Sequence, residues 1–258
     1  MLEARGLTRR FGGVVAVDAV TVRVDEGQLS GVIGPNGAGK STLFHLIAGY
    51  LRPNAGQVLF GDRDVTEMAP QGRARLGIGL AFQAVRLFRG LTVLENVMVG
   101  AHAWTRYGFL EAFLMLPARW REERSIRREA YLALDRVGLT ALAGERAESL
   151  PVGLQRTVQI ARALCGRPRL LLLDEPASGL RAAERERLAE LLRELRREGL
   201  AMLLVEHDVA FVTGLAEQVT VMDQGRVIAE GTPAQIRGEP AVIAAYLGRP
   251  VEDAGGAP

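Results

Sequence analysis

Continuous apolar runs and segments of helical periodicity alternate along this chain. The continuous runs are residues 28–33 (QLSGVI), 167–176 (RPRLLLLDEP) and 201–205 (AMLLV). Runs of this length without polar alternation are typical of parallel strands that are buried on both faces. The pattern therefore predicts buried strands at these three places, with chemistry-bearing residues directly after them.

Helical periodicity appears between and after these strands. Residues 41–49 (STLFHLIAG) predict an amphipathic helix that ends at Gly49. Residues 185–198 (RERLAELLRELRRE) predict a second helix with a charged, solvated face. Its apolar stripe consists of Leu188, Leu191, Leu192 and Leu195. Towards the end of the chain, residues 219–231 predict a β-hairpin and residues 231–248 predict closing helices.

A further helix, in residues 149–164 (SLPVGLQRTVQIARAL), begins without a side chain that could cap it. Pro151 and Gly153 mark its start. One face carries the apolar positions Leu154, Val158, Ala161 and Cys165. A bare helix start offers free backbone N–H groups, which suit an anion, but the segment alone does not say which anion.

Composition narrows the class of protein. With 258 residues, 48% hydrophobic and 24% charged, the chain can bury a large core as one domain or as one domain with an inserted subdomain. A net charge of +2 with dispersed basic residues argues against a nucleic acid partner. The single cysteine, Cys165, excludes an internal disulfide and fits a buried position in a reducing cytosol. Neither a membrane-spanning run nor a signal-peptide core is present.

The clearest chemical signal surrounds Lys40, the single lysine among 32 basic residues. It lies in a segment that matches GxxxxGK[ST] and follows a predicted strand, which indicates a phosphate-binding loop. The segment consists of Gly34, Pro35, Asn36, Gly37, Ala38, Gly39, Lys40, Ser41 and Thr42. Its glycines let backbone N–H groups surround phosphates, Lys40 reaches the β and γ phosphates, and the Ser41 hydroxyl reaches Mg²⁺.

Acidic residues and a histidine follow the other two predicted strands. Asp174 is placed to hold Mg²⁺ through water, and Glu175 to orient the attacking water and accept its proton. His207 follows the strand at residues 201–205. Taken alone it reads as a surface histidine, but beside the other strand ends it becomes a candidate ligand of the γ-phosphate.

In this order the motifs resemble the nucleotide-binding subunit of an ATP-binding cassette transporter, over nearly the whole chain. The resemblance implies that Phe11 stacks on adenine, that Gln83 contacts Mg²⁺ and the membrane partner, and that His207 contacts the γ-phosphate. It implies an α/β P-loop NTPase fold with a RecA-like core, an N-terminal antiparallel β subdomain and an inserted α-helical subdomain. Residues 1–250 would form this single domain, with the insertion at about 88–165 and a flexible tail at 251–258.

The resemblance also suggests whose anion the bare helix start binds. In this family two cassettes dimerise head to tail, and the signature of one closes over ATP on the other. The signature position holds Pro151, Val152, Gly153, Leu154 and Gln155. The usual pattern is LSGGQ, and here Pro151 replaces its serine, Val152 its first glycine and Leu154 its glutamine, which leaves Gly153. Arg181 also stands where an aspartate is common. We expect these departures to weaken the composite site that this signature forms.

The segment between Gln83 and the signature is long, with helical spacing that we expect Pro117 to interrupt. Two interpretations stay open, a surface helical insertion with its own small core or a direct contact with the membrane domain. Residues 109–117 (FLEAFLMLP) are too short to span a bilayer and contain Glu111.

The subfamily that the chain resembles is the cassette of branched-chain amino acid importers. This resemblance implies ATP and Mg²⁺ as cofactors. It implies three kinds of partner, namely a second cassette, membrane permease subunits and an extracellular or periplasmic substrate-binding protein. It also implies a peripheral place on the cytoplasmic face of the membrane. Import of urea or short amides, lipopolysaccharide export, and a degenerate ATP-binding clamp with little hydrolysis remain alternatives.

Overall fold

The computed structural model describes residues 1–104 and 117–247 of the chain. Its strands are β1 (Leu2–Phe11), β2 (Val14–Val24), β3 (Leu29–Ile33), β4 (Ala55–Phe60), β5 (Arg63–Asp64), β6 (Ile78–Ala81), β7 (Leu170–Asp174), β8 (Ala201–Val205), β9 (Gln218–Asp223) and β10 (Arg226–Gly231). Its α-helices are α1 (Lys40–Ala48), α2 (Pro70–Arg75), α3 (Val93–Met98), α4 (Pro117–Arg136), α5 (Val152–Cys165), α6 (Ala182–Arg197), α7 (Val209–Thr213), α8 (Pro233–Arg237) and α9 (Pro240–Leu247).

Within the described residues, the strands form two sheets of different character. The first has the order β2-β1-β4-β5 and is antiparallel. The second has the order β10-β9-β3-β8-β7-β6, in which every pair except β10 with β9 is parallel. Every residue of β3, β7 and β8 is buried, as expected for parallel strands covered on both faces.

The register of the parallel sheet brings the ends of three strands to one edge. Val205, the last residue of β8, pairs with Val32 of β3 on one side and with Asp174 of β7 on the other. The loops that follow these strands therefore begin side by side. This edge is where ligands bind in open α/β sheets.

Helix α1 lies between the two sheets. Its residues Leu43, Phe44, Leu46 and Ile47 are buried in one apolar cluster with side chains of β1, β2, β4 and the lower face of the parallel strands. A second cluster joins the other face of the parallel sheet to α3, α4, α5 and α6. The phosphate-loop helix is thus held in a core that both sheets share, which fixes its start against the sheet edge.

Most elements lie where the sequence predicted them. Helix α1 begins at Lys40 and is followed by Gly49 with φ 83°, and the predicted strand at residues 201–205 is β8. The hairpin is β9 and β10, joined through Gln224 and Gly225, which both have positive φ. Helices α8 and α9 are the predicted closing helices, and the leucine stripe of α6 is buried.

Pro117, which the sequence predicts to interrupt the helical spacing, is the first residue of α4 within the described residues. A proline is tolerated in the first turn of a helix, where N–H groups have no intrahelical acceptors. Residues 105–116, which include most of the FLEAFLMLP segment, and the tail at 251–258 lie outside the described residues. None of the helices within the described ranges is both long and apolar enough to cross a membrane.

Candidate functional site

The glycine-rich loop connects β3 to α1 at the carboxyl edge of the parallel sheet. Gly39, the residue before α1, has φ 99°, and a Cβ placed on it would lie 2.3 Å from the Ala16 carbonyl oxygen. No side chain caps the helix at this end. The loop therefore needs glycine at this position and leaves the helix N–H groups available to an anion.

Lys40 is buried inside this loop. Its Nζ donates to the carbonyl oxygen of Gly34 at 2.7 Å and to that of Pro35 at 3.0 Å. Burial lowers the pKa of Lys40, while the charges of Glu175, Glu206 and Asp174 oppose this shift. The ammonium is held by two neutral carbonyls, which phosphate oxygens can replace with charge-assisted hydrogen bonds.

Asp174 ends β7 beside this lysine. Its carboxylate is buried, and its Oδ1 has no hydrogen-bond partner. Burial raises the pKa of Asp174 to about 6, aided by Glu175 and Glu206 and opposed by Lys40. A buried carboxylate oxygen without a donor is the feature that a cation would satisfy, so Asp174 fits a Mg²⁺ role. The exposed Ser41 lies in the first turn of α1.

Glu175, Gln83 and His207 meet at this edge. Gln83 Nε2 donates to Glu175 Oε2 at 2.8 Å, and His207 Nδ1 lies 3.3 Å from the same oxygen. The backbone N–H of Glu175 donates to the Val205 carbonyl at 2.8 Å, and its φ is +43°. The structure thus brings together the three residues predicted as catalytic, which follow the ends of β6, β7 and β8.

Glu206 is a site residue that the sequence analysis missed. It is fully buried directly between β8 and His207, and its carboxylate accepts from the backbone N–H groups of Ala177 at 2.8 Å and His207 at 3.2 Å. Burial raises the pKa of Glu206. The available signal was an acidic residue directly after an apolar run, the same signal that identified Asp174.

Phe11 stands at the end of β1 and is 44% exposed. The guanidinium of Arg9 lies 4.8 Å from the centre of its ring. Phe11 pairs with Val14 of β2, and Ala16, two residues further along β2, lies against Gly39 of the phosphate loop. The exposed side chain at the end of β1 is compatible with the predicted stacking on adenine.

The signature residues Pro151, Val152, Gly153, Leu154 and Gln155 lie at the start of α5, in another part of the fold. Val152 is 59% exposed, and no side chain caps the helix. A Cβ on Gly153 would lie 2.6 Å from Glu184 Oε1 of α6, so a larger residue here would displace the end of the Glu184 side chain. Gln155 turns back and donates from Nε2 to the Leu150 carbonyl at 2.7 Å.

A neighbouring arginine ties this helix to the loop after Glu175. Arg156 of α5 donates from its guanidinium to the carbonyl oxygens of Pro176 and Ser178. The start of the signature helix is therefore attached to the loop that leaves the catalytic strand end. Arg181, the unusual residue, lies at the start of α6, where its N–H donates to Glu184 Oε2 at 2.9 Å.

A groove of ≈ 540 Å³ is lined mainly by residues of α2, β6 and α5 and by the segment at residues 99–102. Its lining includes Tyr50, Arg75, Leu80, His102 and Arg162. Leu80 belongs to β6, the strand that precedes Gln83. The groove is thus connected through three residues to the Gln83 side chain that contacts Glu175.

Comparisons with known proteins show the family to which the chain belongs. The family model described as ABC transporter matches residues 17–178, and the one described as branched-chain amino acid ATP-binding cassette transporter matches residues 226–252. The chain is 41% identical over 249 residues to the high-affinity branched-chain amino acid transport ATP-binding protein BraF of Pseudomonas aeruginosa, covering 96% of this chain and 98% of that protein. It is 40% identical, with the same coverage, to LivG of Escherichia coli K12, which carries the same description.

A more distant relative has a different described cargo. The chain is 34% identical over 248 residues to the lipopolysaccharide export system ATP-binding protein LptB of Acidithiobacillus ferridurans, covering 96% of this chain and 97% of that protein. Among solved structures, a nucleotide-free ATP-binding cassette from an ABC transporter aligns with TM-score 0.84 at 29% identity, covering 96% and 99% of the two chains. A dimeric bacterial ABC transporter cassette aligns with TM-score 0.76 at 26% identity, covering 90% and 99%.

Proposed function

Because the chain belongs to the ATP-binding cassette family of ABC transporters, we propose that it hydrolyses ATP to drive the uptake of branched-chain amino acids through membrane partner subunits. The observation that carries this proposal is the arrangement of Glu175. Its carboxylate is held by Gln83 and His207 at the same sheet edge as Lys40 and Asp174. A general base, a cation ligand and a phosphate-binding lysine therefore share one site.

We assign the residues to roles by their chemistry. The backbone N–H groups of the phosphate loop at residues 34–42, apart from Pro35, and the Lys40 ammonium bind the phosphates, and Phe11 stacks on adenine. Glu175 accepts a proton from the attacking water, and His207 contacts the γ-phosphate. Ser41, Gln83 and Asp174 would hold Mg²⁺, which supplies positive charge to the phosphate oxygens. The orphaned Oδ1 of Asp174 supports this ligand set.

The proposed cargo depends on the relatives and on the C-terminal segment. The two relatives at 40% and 41% identity are named for branched-chain amino acid transport. Residues 226–252 match the branched-chain amino acid cassette model, and this stretch contains β10, α8 and α9. Lipopolysaccharide export is the second candidate because of the 34% identical relative. Urea or short-amide import has no such observation behind it.

We propose a peripheral place on the cytoplasmic face of the membrane, with three kinds of partner. A second cassette would pair with this one, as in the dimeric solved structure to which the chain is similar. Permease subunits would dock in the groove beside Leu80, because it leads directly to Gln83. A substrate-binding protein would deliver the cargo from outside.

The test is ATP-driven uptake by a reconstituted complex. With this chain, its permease and its substrate-binding protein in vesicles, we expect uptake of leucine that depends on ATP on the cassette side. Glu175→Gln should keep ATP affinity but lower hydrolysis and uptake by about two or more orders of magnitude, the scale of a positioned general base. The matched control is Glu190→Gln, an exposed acid of α6, which should retain both activities.

Three results would contradict the proposal. Normal hydrolysis in Glu175→Gln removes Glu175 from the role of base. Hydrolysis in the wild-type complex without leucine uptake, but with export of lipopolysaccharide, favours the second candidate. ATP binding without hydrolysis in the wild-type complex favours the degenerate clamp, for which the atypical Pro151 and Leu154 are the supporting observation.

A further inference from the structure

Glu206 is a fully buried carboxylate to which the proposed hydrolysis assigns no role. Only two buried carboxylates occur among the described residues, Asp174 and Glu206. Asp174 has an obvious use as a cation ligand. Burying a second negative charge in the same place is unfavourable unless its hydrogen bonds are needed.

The two carboxylate oxygens of Glu206 accept hydrogen bonds from two different parts of the backbone. Oε1 accepts from the Ala177 N–H at 2.8 Å, and Oε2 accepts from the His207 N–H at 3.2 Å. Oε2 also lies 3.5 Å from His207 Nδ1. One side chain therefore fixes the backbone of His207 and the start of the loop after Glu175.

The backbone of Glu206 adds a third connection. Its N–H donates to the Val32 carbonyl of β3, the strand that leads into the phosphate loop, at 3.0 Å. The loop at residues 176–180 is held from its other side by Arg156, on the helix that carries the signature. Glu206 thus lies between the phosphate loop, His207 and a loop attached to the signature helix.

The chemistry of this position requires a carboxylate. Both of its partners are N–H donors, and a carboxylate accepts on both oxygens. A glutamine of the same shape accepts on one oxygen and would turn its NH₂ group towards the second N–H. One of the two connections is then lost, although the volume is unchanged.

We propose that Glu206 is a positioning residue that holds His207 and the loop at 176–180 in the geometry for ATP hydrolysis. This inference rests on the proposed function. The hydrogen bonds of the Glu206 carboxylate go to the backbones of Ala177 and His207, so Glu206 acts through these two residues. Its loss should therefore slow turnover and leave nucleotide affinity intact.

The test is Glu206→Gln in the full chain, with ATP affinity and steady-state hydrolysis measured separately. We expect kcat to fall about 10- to 100-fold, because a hydrogen bond to a charged group is lost in the reacting geometry. The Kd for ATP should stay within about threefold, since the phosphate loop keeps its contacts. The matched control is Glu217→Gln, which removes a carboxylate that accepts from the Leu29 N–H at the far end of β3. It should keep the wild-type kcat.

A double-mutant comparison tests whether Glu206 acts through His207. If Glu206 acts through His207, then Glu206→Gln should cost less kcat in a His207→Ala background than in the wild type. Equal costs in both backgrounds, or a wild-type kcat in Glu206→Gln, would overturn the inference. If Glu206→Gln does not fold, Glu206→Asp takes its place in the test. This variant keeps the charge, but its shorter side chain moves the carboxylate oxygens away from the two N–H donors. A normal kcat in Glu206→Asp would overturn the inference.

Hydrogen exchange of the unaltered chain gives an independent check. The amides of Ala177 and His207 should both exchange slowly, and rapid exchange of either would contradict the geometry. Failure of the inference can be told apart from failure of the proposed function. Hydrolysis that survives Glu175→Gln rejects the base, whereas a dead Glu175→Gln with a normal Glu206→Gln rejects the positioning role alone.

Discussion

Individual residues at the sheet edge adopt unusual states that suit a polyphosphate. Glu175 has a left-handed backbone at φ +43°, which costs a non-glycine residue roughly 1–2 kcal/mol. The hydrogen bond from its N–H to the Val205 carbonyl and the contacts of its carboxylate with Gln83 and His207 offset this strain. Strained backbone conformations of this kind are common at functional sites, where they orient a side chain in a direction that a regular strand would not allow.

The prediction at the scale of single residues concerns Lys40. Lys40→Ala should raise the Kd for ATP at least about tenfold, because it deletes the charge that faces the phosphates. Lys40→Arg should weaken binding to a similar extent although it keeps the charge. The ammonium fits between the Gly34 and Pro35 carbonyls, and a planar guanidinium needs a wider space. Equilibrium binding of a fluorescent ATP analogue measures both, and wild-type affinity in Lys40→Arg would refute the shape argument.

Helix α1 depends on an arginine that lies far from the phosphate loop. Arg73 of α2 is almost completely buried, and its guanidinium donates to the carbonyl oxygens of Leu46, Ile47, Thr66 and Met68. Burial lowers its pKa to about 10, with Asp64 and Glu67 opposing. Leu46 and Ile47 belong to the last turn of α1, whose carbonyls have no partners within the helix. The positive charge also complements the helix dipole.

The prediction for this element concerns stability. Arg73→Met should lower the free energy of unfolding by at least about 3 kcal/mol, because it leaves several buried carbonyls without donors. The control Arg63→Met removes an exposed arginine of β5 and should change stability by less than about 0.5 kcal/mol. Urea denaturation of the three chains measures the difference. Equal midpoints for Arg73→Met and the wild type would show that water replaces the arginine at these carbonyls.

At the scale of the whole molecule, we propose that this chain carries two half-sites. The phosphate loop and Glu175 lie at the sheet edge, and the signature lies at the start of α5 with Val152 exposed. In the proposed pair of cassettes, each ATP meets the phosphate loop of one and the signature of the other. Pro151 offers no hydroxyl and Leu154 no amide, whereas Gly153 still presents its N–H. We therefore expect the weakened site to be the one that holds the partner's ATP.

We expect an asymmetric pair if the partner cassette is a different protein with the usual signature. Lys40→Ala in this chain should then cost more transport than the matching change in the partner. Restoring the signature with Pro151→Ser, Val152→Gly and Leu154→Gln should speed only the partner's site, by about one to two orders of magnitude. ATPase of the reconstituted complex, with each phosphate loop disabled in turn, measures this.

A control is needed because Leu154 packs against the apolar core. The variant Pro151→Ser with Val152→Gly leaves Leu154 in place and separates the gain in activity from any loss of stability. Equal losses from the two phosphate-loop knockouts, with no gain from either repaired signature, would refute the asymmetry.

The sequence by itself determined the elements and motifs whose physics is local. Apolar runs identified β3, β7 and β8, and the spacing of glycines with Lys40 identified the phosphate loop at the start of α1, because a parallel strand and a glycine turn each depend on adjacent residues. Periodicity also predicted the leucine stripe of α6, which is buried, and the sequence predicted the hairpin at residues 219–231, where β9 and β10 pair.

Only the tertiary structure decided which distant residues act on one another. Gln83 reaches Glu175 across 92 positions of sequence, and Glu206 became visible as a buried link only once Ala177 lay beside it. Likewise, Arg73 looks like an ordinary charge of a short polar helix until the end of α1 packs over it. The register of β8 between β3 and β7 sets these contacts, and register depends on pairing between segments far apart in the chain, which no local pattern encodes.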